Sequence, residues 1–464
     1  MTKSTETWHQ YLTLLIVAFD EFSIGMANGW TAPTLYSLIN GEGEFTITPD
    51  EGSWIASLDH VGKILGAIFA AIALDIVGRK VLLTCSAFVF FAIWLITCAA
   101  RSASILSLVR FLFGVFVGIN DGTNSTYLAE NGSPIIRNVF GCICIALYYV
   151  GMLFELVIAT YLTFTQASVV NAFVTFLAFT SVIWIKEPVQ YLLMKGKQIQ
   201  AKRNFAWLHG EDVLDNIDDD DDAPWKTEFE KIKLNVLREK AKKSSLKKTI
   251  SSAANYKSLF VMISIYCLAG CSGYIPTMVY ASTIFPDTDT LKSGHFTVLL
   301  GIIQTLVAVP ASLFVGRFNR RTVIMISFFI IAFSHIIISS LYYINSNIIQ
   351  IPYFAWLVFI LVTLFITVNA AAYPAIFLIR GELFPLSVKA IGTCLSIIGY
   401  SATSFLFTKI FFLLTFNYGI EVNFILYAVL SLTLVVFVHL FLPETRNKSL
   451  IEIQEVLEKS KLFV

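Results

Sequence analysis

The sequence predicts an all-α membrane protein with twelve transmembrane helices arranged as two six-helix halves. Three observations lead to this prediction. Hydrophobic residues make up 56% of the 464 residues and charged residues only 14%, whereas charged residues are about 25% of ordinary soluble domains. Twelve apolar runs have about the length of 20 residues that a membrane-spanning helix needs. The charged motifs at the ends of these runs occur twice along the chain.

The predicted spans form two groups of six on either side of one long polar segment. That segment contains the aspartate run at 218–222 and is typical of a solvated loop. We therefore expect a first bundle, an inter-bundle loop, a second bundle and a tail at 1–185, 186–257, 258–442 and 443–464. The predicted spans are 11–33, 54–74, 81–100, 104–123, 139–161, 167–185, 258–280, 293–315, 321–343, 352–379, 387–412 and 421–442.

The distribution of lysine and arginine predicts the orientation of these spans. If Met1 is cytosolic, all but five of the 33 lysines and arginines fall in cytosolic loops and tails. Positive charge accumulates on the cytosolic side of membrane proteins, so we expect both termini to be cytosolic. The five exceptions are Lys63, Arg101, Arg110, Lys292 and Lys409.

The second part of the polar segment predicts a basic amphipathic helix. Its apolar residues recur at helical spacing among several lysines. We expect this helix to lie against the anionic lipids of the inner leaflet, which makes membrane lipids its expected partner. The alternative is that it packs on the inner ends of the bundle. The apolar residues are Trp225, Phe229, Ile232 and Val236.

Three motifs occur once in each half and indicate an internal duplication. "ALDIVGRKV" (73–81) and "FVGRFNRRTV" (314–323) place basic pairs 241 residues apart. A glutamate then precedes a basic residue by seven positions in both halves, and "IKEPVQYLL" from 185 is repeated as "LPETRNKSL" from 442. Repeated six-helix halves with a binding site between them at the membrane midplane are the architecture of major facilitator transporters.

The duplicated charges predict an ionic network at the inner ends of the helices. Basic side chains there can cap terminal carbonyls and pair with carboxylates of neighbouring elements. We expect such pairs to hold the cytosolic side shut until the halves rock apart, the alternative being that they only set the topology. The residues assigned to this network are Asp75, Arg79, Glu130, Arg137, Arg321 and Glu382.

Several motifs taken together resemble one family. "DIVGRK", "RFLFGVFVG" (110–118), "YLAENGSPIIRN" (127–138), "GELFP" (381–385) and "LPETRNKSL" are similar to motifs of the sugar-porter family of the major facilitator superfamily. "GMANGWTAP" (25–33) and "YLLMKGKQIQAKRNFAWLHG" resemble its insect facilitated trehalose transporter-like branch. The resemblance covers nearly the whole chain. It implies sugar transport by alternating access, facilitative or proton-coupled, and a multi-pass protein of the plasma membrane.

The positions at which that family contacts sugar are changed here. Ile145 and Ile275 stand where the family has glutamine and asparagine, and neither side chain can hydrogen-bond a hydroxyl. Few polar partners predict weak sugar affinity or a less hydroxylated solute. Spans 1, 5, 7, 8, 10 and 11 are expected to form the cavity wall. The candidate cavity residues are Asn28, Ile145, Ile275, Gln304, Phe377 and Tyr400.

Charged residues within the spans raise the question of proton coupling. Met26 stands where proton-coupled members have an aspartate, so we expect transport that is not proton-driven. The alternative coupling groups are Asp20 and Glu21, unless one of them pairs with a basic residue across the bundle. On the second span, Asp59 and Lys63 are four residues apart, the spacing of an ion pair on one helix face.

The sequence therefore favours a facilitative carrier of a small polar solute, with a sugar such as trehalose or a hexose as the expected substrate. Two alternatives remain: a proton-linked carrier, and a non-transporting relative that senses nutrients through 186–257. We do not expect an enzyme, because no nucleophile–base pair, phosphate loop or metal-ligand cluster rises above chance in the sequence. We expect no cofactor, no metal, no nucleic acid and no obligate protein partner.

Overall fold

The computed structural model describes residues 8–131, 134–209, 224–241, 253–288, 291–384, 389–446 and 452–453. Within these ranges, twelve spans are long and apolar enough to cross a membrane, which confirms the predicted fold class. The first six spans are formed by α1 (Trp8–Gly29) with α2 (Thr31–Ile39), α3 (Pro49–Val77), α4 (Arg79–Ala99), α5 (Ala103–Asn131), α6 (Pro134–Tyr161) and α7 (Phe164–Val182).

The second half repeats this arrangement after a long connection, whose described parts contain three shorter helices. The connecting helices are α8 (Val189–Met194), α9 (Gln198–Leu208) and α10 (Pro224–Ala241). The last six spans are formed by α11 (Ala253–Gly270) with α12 (Tyr274–Val279) and α13 (Ala281–Ile284), then α14 (Ser293–Phe314), α15 (Arg320–Asn347), α16 (Phe354–Leu383), α17 (Lys389–Tyr418) and α18 (Ile420–Phe441). We call the side of the membrane that carries this connection the inner side.

The first span of each half is broken near its outer end. In the first half a single turn residue, Trp30, separates α1 from α2, and α2 continues to Ile39, so the predicted span 11–33 ends too early. In the second half Gly273 has a φ of +82°, a left-handed conformation that glycine adopts without steric cost. A side chain there would also clash with the ring of Tyr427. Such breaks expose backbone groups only where a cavity or neighbouring helices can satisfy them.

Helices α3 and α5 pack closely enough for their backbones to touch. Gly62 and Gly66 face α5, and Gly114 and Gly118 face α3. An added Cβ at any of these four positions would overlap a backbone carbonyl of the opposite helix. Small residues permit this approach in membrane bundles, where close van der Waals packing drives helix association. The contact sets the positions of the charged side chains described below.

The two halves meet along two pairs of helices and at their outer ends. Helix α3 of the first half packs on α17 of the second, and α6 packs on α14. At the outer end, α2 packs against α13. These contacts leave a space between the halves that begins near the middle of the bundle.

Helix α10 is present, and its apolar face packs against protein. Trp225, Phe229 and Val236 are buried in a cluster with residues of α8 and α9, among them Leu192 and Phe205. The apolar residues that predicted a contact with the inner leaflet are therefore covered by protein, and a contact of α10 with membrane lipids stays a prediction. Packing on the apolar side chains of α8 and α9 removes these residues from water, as contact with lipid would.

Candidate functional site

A cavity of about 220 Å³ lies between the two halves. The first half contributes side chains of α1, α3, α5 and α6, and the second half those of α11, α12, α16 and α17. Its wall follows α5 to Leu128 and α16 to Arg380, both near the inner ends of their helices. On α3 it stops at Asp59, well below the outer start of that helix. The cavity therefore extends toward the inner side.

The outer side is covered by contacts between the halves. The ammonium group of Lys409 on α17 lies 2.8 Å from a carboxylate oxygen of Asp50 on α3 and donates to the hydroxyl of Ser53 at 2.7 Å. The same ammonium lies 4.2 Å from the ring centroid of Trp54. The arrangement is that of an inward-facing state.

Two ion pairs join α3 and α5 along the wall of the first half. Lys63 lies 3.0 Å from Asp121, and Asp59 lies 3.5 Å from Arg110. Arg110 also donates to the carbonyl of Ala27 at 2.8 Å. The predicted pair between Asp59 and Lys63 is not formed. Because the glycine contacts bring α5 so close, each charge on α3 finds a better-placed opposite charge on α5.

The two carboxylates of the first span have amide partners. Asp20 is buried and accepts a hydrogen bond from the Nδ2 atom of Asn120. Glu21 lines the cavity and accepts from the Nδ2 atom of Asn124 at 2.9 Å. Neither carboxylate forms an ion pair with any residue in the described ranges, so the expected basic partner across the bundle is not found there.

The wall of the second half is largely aromatic. It presents the rings of Tyr266, Tyr274, Tyr373, Tyr400 and Phe377, and α6 adds two tyrosines opposite them. A tyrosine hydroxyl both donates and accepts hydrogen bonds, while its ring offers apolar surface. The expectation of a wall with few polar partners is therefore wrong. The signal that could have corrected it was the number of tyrosines within the spans.

Five of the six candidate cavity residues line this cavity, and one lies behind its wall. Asn28, Ile145, Ile275, Phe377 and Tyr400 are wall residues. Gln304 is fully buried and donates from Nε2 to the Tyr274 hydroxyl at 2.8 Å. Span 8 is thus absent from the wall as the structure describes it. Spans 2 and 4, which sequence reasoning left out, supply the charged wall residues Asp59, Lys63 and Asp121.

The inner end of the first half carries a buried network of charges. The Nη2 atom of Arg79 lies 2.8 Å from Glu130, and both side chains are less than a tenth exposed. Glu187, in the segment after α7, accepts hydrogen bonds from the backbone N–H groups of Arg79 at 2.6 Å and Lys80 at 3.3 Å. A carboxylate at a helix N-terminus satisfies free N–H groups and stabilises the helix dipole. Burial raises the pKa of Glu187 above its usual range.

The second half repeats this network with its own residues. The Nη2 atom of Arg320 lies 3.1 Å from Glu382. Glu444 accepts from the backbone N–H groups of Arg320 at 3.1 Å and Arg321 at 3.2 Å. The side chain of Arg321 instead donates to the carbonyl of His439. Naming Arg321 as the partner in the network was therefore wrong: the residue equivalent to Arg79 by the repeat offset is Arg320.

The two ion pairs described here, Arg79 with Glu130 and Arg320 with Glu382, each lie within one half. Neither of these two pairs forms the expected ionic gate across the halves in this state. The two capping glutamates were missed, although the third repeated motif contains both of them. The side chains of Asp75 and Arg137, also assigned to the network, lie outside the described parts of the structure.

The profile of the family described as "Sugar (and other) transporter" matches residues 22–457. The chain belongs to this family. Curated relatives in it include the facilitated trehalose transporter Tret1 of Culex quinquefasciatus, 22% identical over 97% of this chain and 86% of the relative. The Tret1-2 homolog of Drosophila sechellia is 24% identical over 98% of this chain and 92% of its own length. The family and these relatives identify a transporter and not an enzyme.

Solved structures of the same fold include transporters in inward-open conformations. The inward-open conformation of the xylose transporter XylE from E. coli superposes with a TM-score of 0.77, covering 96% of this chain and 99% of that one at 14% sequence identity. The partially occluded inward-open conformation of the same transporter gives a TM-score of 0.75 at 15% identity. At 14–15% identity these matches show that the chain has the fold of these sugar transporters.

Proposed function

We propose that this chain is a facilitative sugar carrier that works by alternating access, and that the cavity between its halves is the substrate site. The observation that supports this best is the position of the cavity. It is lined by both halves, extends to the inner side and is covered on the outer side by contacts between α3 and α17. Rocking the halves so that these contacts separate and the inner ends close would expose the same wall to the other side.

The chemistry of the wall suits a ring-shaped solute with several hydroxyls. Tyrosine hydroxyls, Asn28, Asn124 and Asn369 offer both donors and acceptors. The rings of Phe377 and Tyr400 offer flat apolar surface for the carbon faces of a sugar. Relatives named as trehalose transporters and a structural neighbour named as a xylose transporter support the same substrate class. We infer that trehalose or a hexose is carried.

The orientation and location of the carrier are part of this proposal. The basic residues predict that the side with the long connection is cytosolic, together with both termini. With that orientation the cavity faces the cytosol in this state. The plasma membrane is the expected site, since it is where an extracellular sugar would enter the cell.

Transport is proposed to be independent of the proton gradient. Met26, at the position where coupled members carry an aspartate, is fully buried and apolar. Uptake should then be flat from mildly acidic to neutral pH and unaffected by a protonophore. Acid-stimulated uptake that Glu21→Gln or Asp20→Asn abolishes would instead establish a proton-linked carrier. Glu21 is the better placed of the two, because it lines the cavity.

The test is uptake of a labelled panel of trehalose, glucose, other hexoses and polyols in a host without its own carriers. We expect saturable uptake of at least one sugar that the unlabelled sugar competes away. Tyr274→Phe is a useful partner variant, since it removes one wall hydroxyl and keeps the ring. Surface expression without saturable uptake of any member of the panel would contradict the proposal and favour a non-transporting sensor.

A further inference from the structure

Arg380 is a positive charge on the cavity wall that has no polar partner among the described residues. It lies on α16, near the inner end of the cavity, and is half-buried. The central carbon of its guanidinium lies 4.7 Å from the ring centroid of Phe377 and 5.8 Å from that of Tyr266. It makes no hydrogen bond or ion pair with any residue that the structure describes. The two rings hold the guanidinium without neutralising it.

The other charged groups of the wall differ from Arg380 in this respect. Lys63 is paired with Asp121, and Asp59 with Arg110. Glu21 accepts a hydrogen bond from Asn124. Ionisable residues inside a membrane protein are costly and pair with one another or mark a substrate path. Arg380 is therefore the wall charge that is left available to a ligand.

The chemistry of guanidinium specifies the ligand. Arginine stays protonated in proteins and presents a planar fork of N–H donors that fits a carboxylate or phosphate in a two-point contact. Stacking on Phe377 and Tyr266 restricts the plane of that fork. A phosphate dianion would also be repelled by the carboxylates of Glu21, Asp59 and Asp121, which line the same cavity from the first half. A ligand with one carboxylate and several hydroxyls fits better, since carboxylates such as Glu21 accept bonds from hydroxyl groups.

We propose that Arg380 binds the carboxylate of the transported solute and that sugar acids, such as uronates or aldonates, are substrates of this carrier. This proposal rests on the proposed function, because it assigns a substrate class to the same cavity. The tyrosine hydroxyls and Glu21 then contact the hydroxyls of the sugar acid, and Arg380 sets its orientation. A neutral sugar occupies the cavity without the contact to Arg380.

The experiment uses the full chain reconstituted in liposomes with labelled glucuronate and labelled glucose as probes. Arg380→Gln removes the charge and Arg380→Lys keeps it without the planar fork. Arg317→Gln is the matched control: Arg317 is an exposed arginine outside the cavity, and its guanidinium carbon lies 5.1 Å from the ring centroid of Phe314. We expect the native chain and the control to carry glucuronate. Arg380→Gln should weaken glucuronate affinity at least about tenfold, the usual effect of losing a charged hydrogen-bonding partner, and should therefore lower the ratio of glucuronate to glucose affinity below that of the native chain and the control. Arg380→Lys should fall between them.

Four results would overturn the proposal, and they separate it from the proposed function. Glucose uptake without uptake or competition by glucuronate leaves the carrier intact and removes the sugar-acid substrate. Transport of neither probe nor any other sugar refutes both. Equal loss of glucose and glucuronate transport in Arg380→Gln shows that Arg380 acts in the conformational change, for example by meeting Glu21 of the other half when the inner side closes. Stronger competition by glucose 6-phosphate than by glucuronate assigns Arg380 to phosphate.

Discussion

The inner and outer ends of this bundle use charged side chains differently. At the inner ends, Arg79 pairs with Glu130 and Arg320 with Glu382, and each pair stays within one half. At the outer ends, Arg101 pairs with Glu44 inside the first half. Lys409 of the second half pairs with Asp50 of the first. The inner networks therefore brace each half as a unit, while the outer contact joins the units. Opening the outer side requires breaking the Lys409 contacts and leaves both inner networks in place.

The exposure of these ion pairs indicates how much each contributes to stability. Removing one partner from a buried ion pair costs about 3–5 kcal/mol, because a charge is left buried and unpaired. An exposed pair contributes about 0.2–1 kcal/mol. The pair of Arg79 and Glu130 is 4% and 9% exposed, and that of Lys409 and Asp50 is 25% and 79% exposed. Changes at the inner end should thus affect stability, and changes at the outer end should affect the balance of conformations.

The largest effect is expected for Glu130→Gln. It removes the Glu130 carboxylate from the buried guanidinium of Arg79, so the free energy of unfolding should fall by about 3 kcal/mol. Glu382→Gln should cost less, because Arg320 and Glu382 are 10% and 29% exposed. Thermal unfolding of the purified variants measures both, with the exposed Glu42→Gln as control. Equal midpoints for Glu130→Gln and the control would show that the first network does not brace its half.

The hydrogen bond between Gln304 and Tyr274 is also internal to one half, and its loss should lower the affinity of the cavity for substrate. Gln304→Ala should weaken substrate affinity by about 1 kcal/mol, or roughly fivefold, because the Tyr274 hydroxyl loses the donor that orients it. Tyr274→Phe should produce a similar loss, and the double variant should not lose the sum of the two. Uptake kinetics at equal surface expression measure this. Additive losses would show that Gln304 contacts the substrate separately.

A smaller effect is expected for Lys409→Gln, which removes the contact between the halves. The outward-facing population should rise by up to about fivefold, the equivalent of about 1 kcal/mol. A cysteine in place of Ser282, which is buried on α13 where that helix packs on α2, reports the opening. Its labelling by an impermeant thiol reagent from outside should speed up in Lys409→Gln and not in the control Lys292→Gln. Unchanged labelling would rule out Lys409 as a latch.

The smallest effect concerns the pH dependence of the inner end. Burial raises the pKa of Glu187, so the folded chain binds this proton more tightly than the unfolded chain does. The contribution to stability is then present below the unfolded pKa and is lost as the pH rises through the folded pKa. Glu187→Gln should remove this decline from the unfolding midpoints measured above about pH 4.5, the unfolded value. A decline of equal slope in the variant would assign it to other groups.

Much of the fold could be predicted from composition and repetition alone. Twelve apolar runs give the spans, and the repeated motifs give the two halves. The repeat offset also identifies Arg320 as the equivalent of Arg79, so the error at Arg321 was avoidable. The positions of the capping glutamates follow from the third repeated motif, in which Glu187 and Glu444 are 257 residues apart.

The contacts between helices could not be predicted in this way. The spacing of Asp59 and Lys63 predicts a pair on one helix, but the glycines of α3 and α5 bring two other charges closer. Gln304 was placed on the wall because its span supplies contacts in the family, whereas the ring of Tyr274 stands in front of it. Which side chains of neighbouring helices come into contact depends on the rotation of each helix and on the distance between the helix axes. Neither can be predicted from the sequence pattern of a single helix.

Counterflow in liposomes tests alternating access through the cavity most directly. Liposomes containing the purified chain are loaded with an excess of the unlabelled sugar that the uptake panel identifies, and a trace of the labelled sugar is added outside. A carrier that exposes one site alternately to the two sides predicts a transient accumulation of label above equilibrium. Gln304→Ala should reduce that accumulation, and Arg317→Gln should not. Entry of label that rises only to equilibrium and does not depend on internal sugar would contradict alternating access.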